Sequence, residues 1–491
     1  MKYTIENIAH ILNGKFFQNP SPSAAVEHLF VDSRNISFAH SGLFFALVTK
    51  RRNGHDFVGH AYKKGVRNFI ISEQFRYDDF PEANFIMVGN TLKALQKLAK
   101  HHREYFNIPV IGITGSNGKT IVKEWLFQLL NNEYHIVRSP KSYNSQIGVP
   151  LSVWQMKEHH TLAIFEAGIS EMDEMENLAA IIQPTVGVLT NIGSAHASGF
   201  VDIETKLEEK SKLFEDADEL IYNIDNPFVD SLFTKKFGHL ENSFIWSNME
   251  DMAPFNIKKI KKIGGRTKIT AEFYDVITSI YIPFTDDNSI ENAITCWGVM
   301  LHLEYSESLI RQRMLNLQPV EMRLEVKEGV NGSQIINDAY SSDLYSFNIA
   351  LRFLNQKAKN KKTALIVSDF LETGYSITEL YEIVAESINE NDIDRTYCIG
   401  EDIEQLKFEL SGDIYYYQDT DSFLQQLVPE DFADTFVLLK GARIFEFEKI
   451  ANRLSQKVHQ TRLEVNLSAL QHNLRTYSNL LHGGTQMMVM V

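Results

Sequence analysis

The chain has 491 residues, of which 44% are hydrophobic and 23% charged, and it carries a formal net charge of −15. That length exceeds one ordinary core and suggests about three domains, and the balance excludes an intrinsically disordered chain. The acidity argues against non-specific nucleic-acid binding, which needs a basic footprint, but leaves room for a phosphate site built from backbone donors and a few cations.

Met1 to Leu12 includes Glu6 and His10 and lacks the apolar stretch of a signal peptide. Residues 1 to 107 mix strand-like runs, such as Gly42 to Val48, with helical stretches, and a helix over Ala94 to Tyr105 closes the unit. Asn107-Ile-Pro109 reads as a linker. A different pattern then begins. Val110 to Thr114, Leu162 to Glu166 and Val186 to Asn191 are apolar runs, each with a polar residue at its C-terminal end. Helical periods over Val122 to Leu130 and Glu174 to Ile182 separate them. Strands alternating with helices imply a parallel sheet covered on both faces, with its ligand site beyond the carboxyl ends of the strands. Ile181 to Leu189 is apolar but broken by Gln183 and Pro184, and nothing approaches a membrane span.

The strongest local signal follows the first of these strands, in Gly112-Ile-Thr-Gly115-Ser-Asn-Gly118-Lys119-Thr120. Glycines let backbone N–H groups turn inward around a phosphate, and the helix that follows adds positive potential at its start. Lys119 supplies a cation for the terminal phosphates, and the Thr120 hydroxyl suits a magnesium shell. Ile113 replaces a glycine of the longer P-loop, leaving the shorter Gly-x-x-Gly-Lys-Thr form. Glu166, at the end of its strand, is a hard carboxylate placed for the same ion. Thr190-Asn191-Ile-Gly193-Ser-Ala-His196 is another strand end running into a glycine turn. Lys206, Lys210 and Lys212 lie on a charged helix over Ile203 to Phe214, whose composition alone reads as a solvated face with a Glu208–Lys212 pair.

A second alternating series follows Leu317-Gln-Pro319, with strands over Thr363 to Asp369, Thr396 to Gly400, Ile414 to Tyr417 and Thr435 to Lys440. This reads as another doubly wound domain ending near Leu454. Cys296 and Cys398 lie far apart in apolar runs and read as reduced thiols of a cytoplasmic protein rather than a disulfide or metal site.

Taken in order, these motifs resemble the Mur ligases. The front carries Val31-Asp-Ser-Arg34 and Asn53-Gly-His-Asp-Phe57, and the centre carries Gly115 to Thr120, Ile147-Gly-Val-Pro150, Glu166-Ala-Gly168 and Asn191 to His196. Asn288 and Asn292 follow, then Arg323-Leu-Glu, Asn337-Asp-Ala-Tyr340, Ser368 to Glu372 and Lys440-Gly-Ala-Arg443. The resemblance implies a three-domain α/β fold, with a central P-loop parallel-sheet ATPase domain and a C-terminal Rossmann-like domain. It divides the chain into a UDP-substrate domain over 1–107, an ATP domain over 108–317 and a C-terminal ligase domain over 318–456. The implied activity is ATP-dependent joining of D-alanyl-D-alanine to a UDP-N-acetylmuramoyl-tripeptide.

By the same resemblance Lys119, His196 and Lys210 are catalytic, Lys210 as a carbamylated lysine. Gly115, Ser116, Asn117, Gly118, Lys119, Thr120, Asn288, Asn292, Arg323 and Asp338 hold ATP. Thr120, Glu166, His196 and Lys210 hold two Mg²⁺ ions, and Ser33, Arg34, Asp343, Lys440 and Arg443 meet the other substrates. Several residues depart from the family pattern: Lys210-Ser-Lys212 replaces Lys-Gly-Glu, Asp287 replaces a histidine, and Ser341 and Asp343 replace two asparagines. From Leu463 to Val491 the chain resembles the opening strand and helix of an alanine racemase, short of the lysine that binds pyridoxal phosphate. A ligase–racemase fusion is the expectation, with residues 457–491 as the truncated start of an alanine-racemase-like domain and no PLP in this portion. Two alternatives stay open, a folate polyglutamate synthase and a P-loop binding switch. Asp32-Ser-Arg34 and Gly54-His-Asp56, as features of a UDP-sugar domain, argue against the first.

Overall fold

The computed structural model describes residues 3–456 except 37, 50–51, 74–77, 193–201, 241–242, 250–252, 321–323, 340–343, 360, 372–374, 409 and 411, together with Asn473. Three large sheets follow one another along the chain. The first orders β1 (Lys15–Gln18), β2 (His28–Phe30), β3 (Gly42–Phe45), β4 (Asn68–Ile71) and β5 (Asn84–Met87) as β1-β5-β4-β3-β2. Helix α1 (Thr91–Arg103), capped by the Asn90 side chain on Lys93 N at 2.9 Å, closes this unit.

The central sheet opens on β6 (Val110–Thr114), five buried residues rich in β-branched side chains, and leads into α2 (Lys119–Leu130). It continues with β7 (Ile136–Arg138), β8 (Leu162–Glu166), α3 (Met175–Ile182), β9 (Val186–Leu189), α4 (Ile203–Ser211), β10 (Glu219–Asn223) and β11 (Phe244–Ser247). Then come β12 (Phe255–Ile263), β13 (Arg266–Phe273), β14 (Val276–Ile282) and helix α5 (Asp287–His302). The strand order is β14-β13-β12-β11-β10-β9-β6-β8-β7. All pairs from β7 to β12 are parallel, whereas β12, β13 and β14 form an antiparallel extension that the strand–helix alternation did not foresee. The first strand, β6, therefore lies between β9 and β8, and the chain winds away from it in both directions. Such a reversal leaves a crevice at the carboxyl ends of the strands.

The third sheet orders β15 (Glu325–Glu328), β16 (Gln334–Asn337), β17 (Lys362–Ser368), β18 (Arg395–Ile399), β19 (Asp413–Tyr417) and β20 (Thr435–Lys440) as β15-β16-β20-β17-β18-β19, parallel except for β15.

The first and central units share a polar and aromatic seam. His102 of α1 bonds Tyr3 Oη at 3.1 Å and Met156 O at 3.1 Å. Trp154 packs into the front core and donates its Nε1 to Glu27 O at 3.0 Å, while Arg103 donates to Ile182 O and Gln183 O. At the other end Trp125 donates to Gln318 O at 3.0 Å, which ties the start of the third unit to α2. Cys296 and Cys398 are free buried thiols, as expected, and burial pushes both pKa values up. No helix among the described residues is long and apolar enough to cross a membrane.

Candidate active site

The loop between β6 and α2 lies at the crevice beside β6. Gly115 has φ 147° and a Cβ there would stand 2.0 Å from Thr190 Oγ1, so only glycine lets the loop pass under the end of β9. Asn191, just beyond β9, holds the loop's outgoing edge: Ser116 N donates to its carbonyl at 2.7 Å and Asn117 N to its Oδ1 at 3.0 Å. Gly118 begins α2 at φ 82°, and a Cβ on it would meet Asn292 Oδ1 at 2.2 Å. Helix α5, capped by Asp286 on Ser289 N, thus presses buried Asn292 against the loop, with Asn288 one turn earlier.

Two lysines converge on one carbonyl. Lys119 Nζ donates to Gly115 O at 2.8 Å and to Ser116 O at 3.1 Å, and Lys210 Nζ, from α4, donates to the same Gly115 O at 3.1 Å. Lys206 and Lys210 are buried at 2% and 1% exposure, which overturns the reading of α4 as a solvated face. Composition misleads here because the helix, capped by Asp202, is packed between the loop and α3. The Glu208–Lys212 pair does not form either: Lys212 bonds Glu209 at 2.6 Å and reaches Asp173. Burial, then the nearby Lys119 and Lys206, hold the Lys210 pKa well below the ordinary lysine range.

On the other side of β6, Thr120 Oγ1 donates to Glu166 Oε2 at 3.0 Å and stands 3.0 Å from Ser142 Oγ. These are hard oxygen donors of the kind magnesium takes while keeping several waters, so the residues fit one such ion. The sequence reading missed the group beneath them. Lys123, fully buried, places its Nζ 2.9 Å from Glu166 Oε1 and 3.0 Å from Glu124 Oε1 and donates to Ser139 O at 2.7 Å. Its place one turn after Lys119 was the one sequence signal, and the apolar stripe around it masked its pairing. Glu291 of α5 is also a titratable group of this pocket: burial, reinforced by the charge of Asp225, raises its pKa to about 7, partly offset by a hydrogen bond from Asn191.

The remaining expected residues fall in two further clusters. In the front unit Ser33 is buried with its Oγ 2.9 Å from His60 Nδ1, and Arg34 pairs with Asp32 at 2.7 Å, holding that carboxyl below its usual range. Lys64, which no motif marked, donates to Arg34 O at 2.8 Å. In the third unit Lys440, at the end of β20, donates to Asp338 Oδ2 at 2.7 Å and to Ser346 Oγ at 2.9 Å, all at the carboxyl end of the sheet. Arg443 opens the exposed turn that follows. His196, Arg323 and Asp343 lie outside the described residues, as does the stretch from Leu463 to Val491 apart from Asn473.

Two family models match this chain, the Mur ligase middle domain over residues 113–300 and the glutamate ligase domain of Mur ligases over residues 322–443. Together they span more than half of it. A UDP-N-acetylmuramoyl-tripeptide–D-alanyl-D-alanine ligase of Borreliella burgdorferi is 28% identical over 437 residues, covering 86% of this chain and 92% of that protein. Among solved structures, MurF from Acinetobacter baumannii superposes with a TM-score of 0.75 at 21% identity, covering 92% of this chain and 99% of the other. MurF ligase from Thermotoga maritima in complex with ADP gives a TM-score of 0.69 at 23% identity, covering 87% and 96%.

Proposed function

Since the chain belongs to the Mur ligase family, whose members are ATP-dependent amide ligases, we propose that it joins D-alanyl-D-alanine to a UDP-N-acetylmuramoyl-tripeptide in peptidoglycan precursor synthesis. The observation that carries this reading is the convergence of Lys119, Lys210, Thr120 and Glu166 around one glycine loop at the reversal of a parallel sheet. A carboxylate is a poor acyl donor because its leaving group would be oxide. Transfer of the γ-phosphoryl of ATP onto the tripeptide carboxylate gives an acyl phosphate, which the dipeptide amine attacks with loss of phosphate. The protein's task is positioning and charge neutralisation.

In this reading Gly115, Ser116, Asn117 and Gly118 cradle the phosphates, and Lys119 leaves the loop carbonyls to neutralise the transferring phosphoryl. Asn288, Asn292, Arg323 and Asp338 contact the nucleotide. Thr120 and Glu166 would hold one magnesium ion, and His196 with a carbamylated Lys210 a second, whose charge screens the phosphoryl oxygens. The neutral amine favoured by the buried setting of Lys210 is the form that reacts with carbon dioxide. Ser33 and Arg34 take the UDP end within residues 1–107, and residues 108–317 take ATP. The dipeptide is met from 318–456, Lys440 and Arg443 countering its carboxylate and Asp343 facing its ammonium. We place the enzyme in the cytoplasm, where ATP is supplied. The resemblance of residues 463–491 to an alanine racemase supports a fusion of the two enzymes.

The test is ligation read by mass, with a panel of UDP-muramoyl peptides crossed with dipeptides. Product should form with the tripeptide and D-alanyl-D-alanine and require ATP. Phosphate release indifferent to both substrates would mark a binding switch and overturn the reading.

A further inference from the structure

Ser368 ends β17, and the chemistry above gives it no role. β17 runs parallel to β20 with Val367 opposite Lys440, so the residue after Val367 meets the turn that leaves β20. Its side chain is fully buried and its hydroxyl is used twice: Oγ accepts from Ala442 N at 2.8 Å and donates to Asp369 O at 3.1 Å. Asp369 is itself held, its Oδ1 accepting from Ile403 N at 2.8 Å and its Oδ2 from Glu401 N at 3.1 Å. With its hydrogen committed to that fixed carbonyl, the hydroxyl offers Ala442 N its lone pairs. The turn is confined on its other side as well. Lys440 is anchored on Asp338 and Ser346, and a Cβ on Gly441 would stand 2.8 Å from the Phe447 ring. Gly441 and Ala442 are buried, and Arg443 is the first residue of the turn to reach solvent.

We propose that Ser368 is a positioning residue for the dipeptide: its hydroxyl sets the path of the 440–443 turn and with it the reach of Arg443 toward the dipeptide carboxylate. The inference rests on the reading of Lys440 and Arg443 as the groups that counter that carboxylate. Without the hydroxyl, Ala442 N is a buried donor that has lost its acceptor, a state costly enough to move a turn. The turn then relaxes until that N–H finds another partner, and the guanidinium moves with it. The contact with the dipeptide carboxylate weakens, whereas phosphoryl transfer at the glycine loop of the central sheet is unaffected.

The experiment measures ligation by the full chain with D-alanyl-D-alanine and with its C-terminal amide, D-alanyl-D-alaninamide, for the parent, Ser368→Ala and Ser368→Thr. The parent should show a KM for the amide at least about tenfold above that for the dipeptide, since the carboxylate is gone. Ser368→Ala should raise the dipeptide KM about tenfold while kcat and the KM for ATP stay near the parent's, the pattern of a lost binding contact. With the amide the same variant should match the parent, because the two changes remove one interaction. A merely structural role for Ser368 would weaken both ligands alike. Ser368→Thr, which keeps the hydroxyl, should restore the dipeptide KM; if the threonine variant does not fold, the comparison of dipeptide with amide decides alone. A parent indifferent to the dipeptide's carboxylate would remove the carboxylate site and the inference with it. A parent that discriminates, with Ser368→Ala matching it on the dipeptide or losing equally on dipeptide and amide, would overturn the role of Ser368 alone.

Discussion

Lys119 and Lys123, one turn apart on α2, show how differently two lysines of one helix can act. Lys119 donates to loop carbonyls, which it can exchange for phosphate oxygens. Lys119→Ala should therefore lower turnover at least about a hundredfold while leaving the melting temperature near that of the parent; steady-state kinetics and a thermal melt check both. Lys123 forms an ion pair with Glu166 in which both side chains are fully buried. Removing one member of such a pair strands the other, so Lys123→Met should destabilise the protein by about 3–5 kcal/mol, measured by denaturant unfolding. Glu166 and Thr120 were legible in the sequence because each stands at a strand or helix end next to a glycine turn. Lys123 was not, because a lysine in an apolar stripe ordinarily reads as a snorkelling stem. The pairing of β8 with β6 is what brings the buried Glu166 under it.

Among the elements, those whose apolar runs are bounded by polar residues were read best. Val110–Thr114, Leu162–Glu166 and Thr435–Lys440 form strands over the expected residues. α4 was misread because its burial comes from packing across the sheet rather than from its own periodicity. The β12–β14 extension went unforeseen although Gly264 and Gly265, both at positive φ, separate its first two strands. Helix α1 carries a pH dependence of its own. Burial is the main reason that the His102 pKa falls from 6.5 to about 4, outweighing its bond to Met156 O, so the folded protein prefers the neutral ring. That preference contributes stability fully above pH 6.5, and the contribution is lost as pH falls toward 4. The melting temperature of His102→Phe should lie below the parent's at pH 8, for want of the Tyr3 and Met156 bonds, and the gap should narrow between pH 6.5 and 4. Melts across that range decide it; a constant gap would show that His102 does not titrate against folding.

At the scale of the whole molecule, the order of three α/β units was legible because each begins after a break in the strand–helix pattern. The join between the first two was not, since it depends on single side chains such as Trp154 and Arg103 reaching across from one unit to the next. The press of Asn292 on Gly118 has a consequence for how the protein is made. Strand β6 and its glycine loop leave the ribosome long before α5, by roughly ten to thirty-five seconds at ordinary rates of synthesis. During that interval the growing chain has the loop but neither its Asn292 backing nor the part of the central core supplied by Ile290, Ala293, Ile294 and Trp297. Stalled nascent chains exposing residues through Ile282 should therefore be protease-sensitive and fail to retain a fluorescent ADP, whereas chains exposing residues through Gln318 should resist digestion and bind it. Nucleotide capture thus becomes a late event of biosynthesis, timed by the emergence of a helix far downstream of the loop it completes.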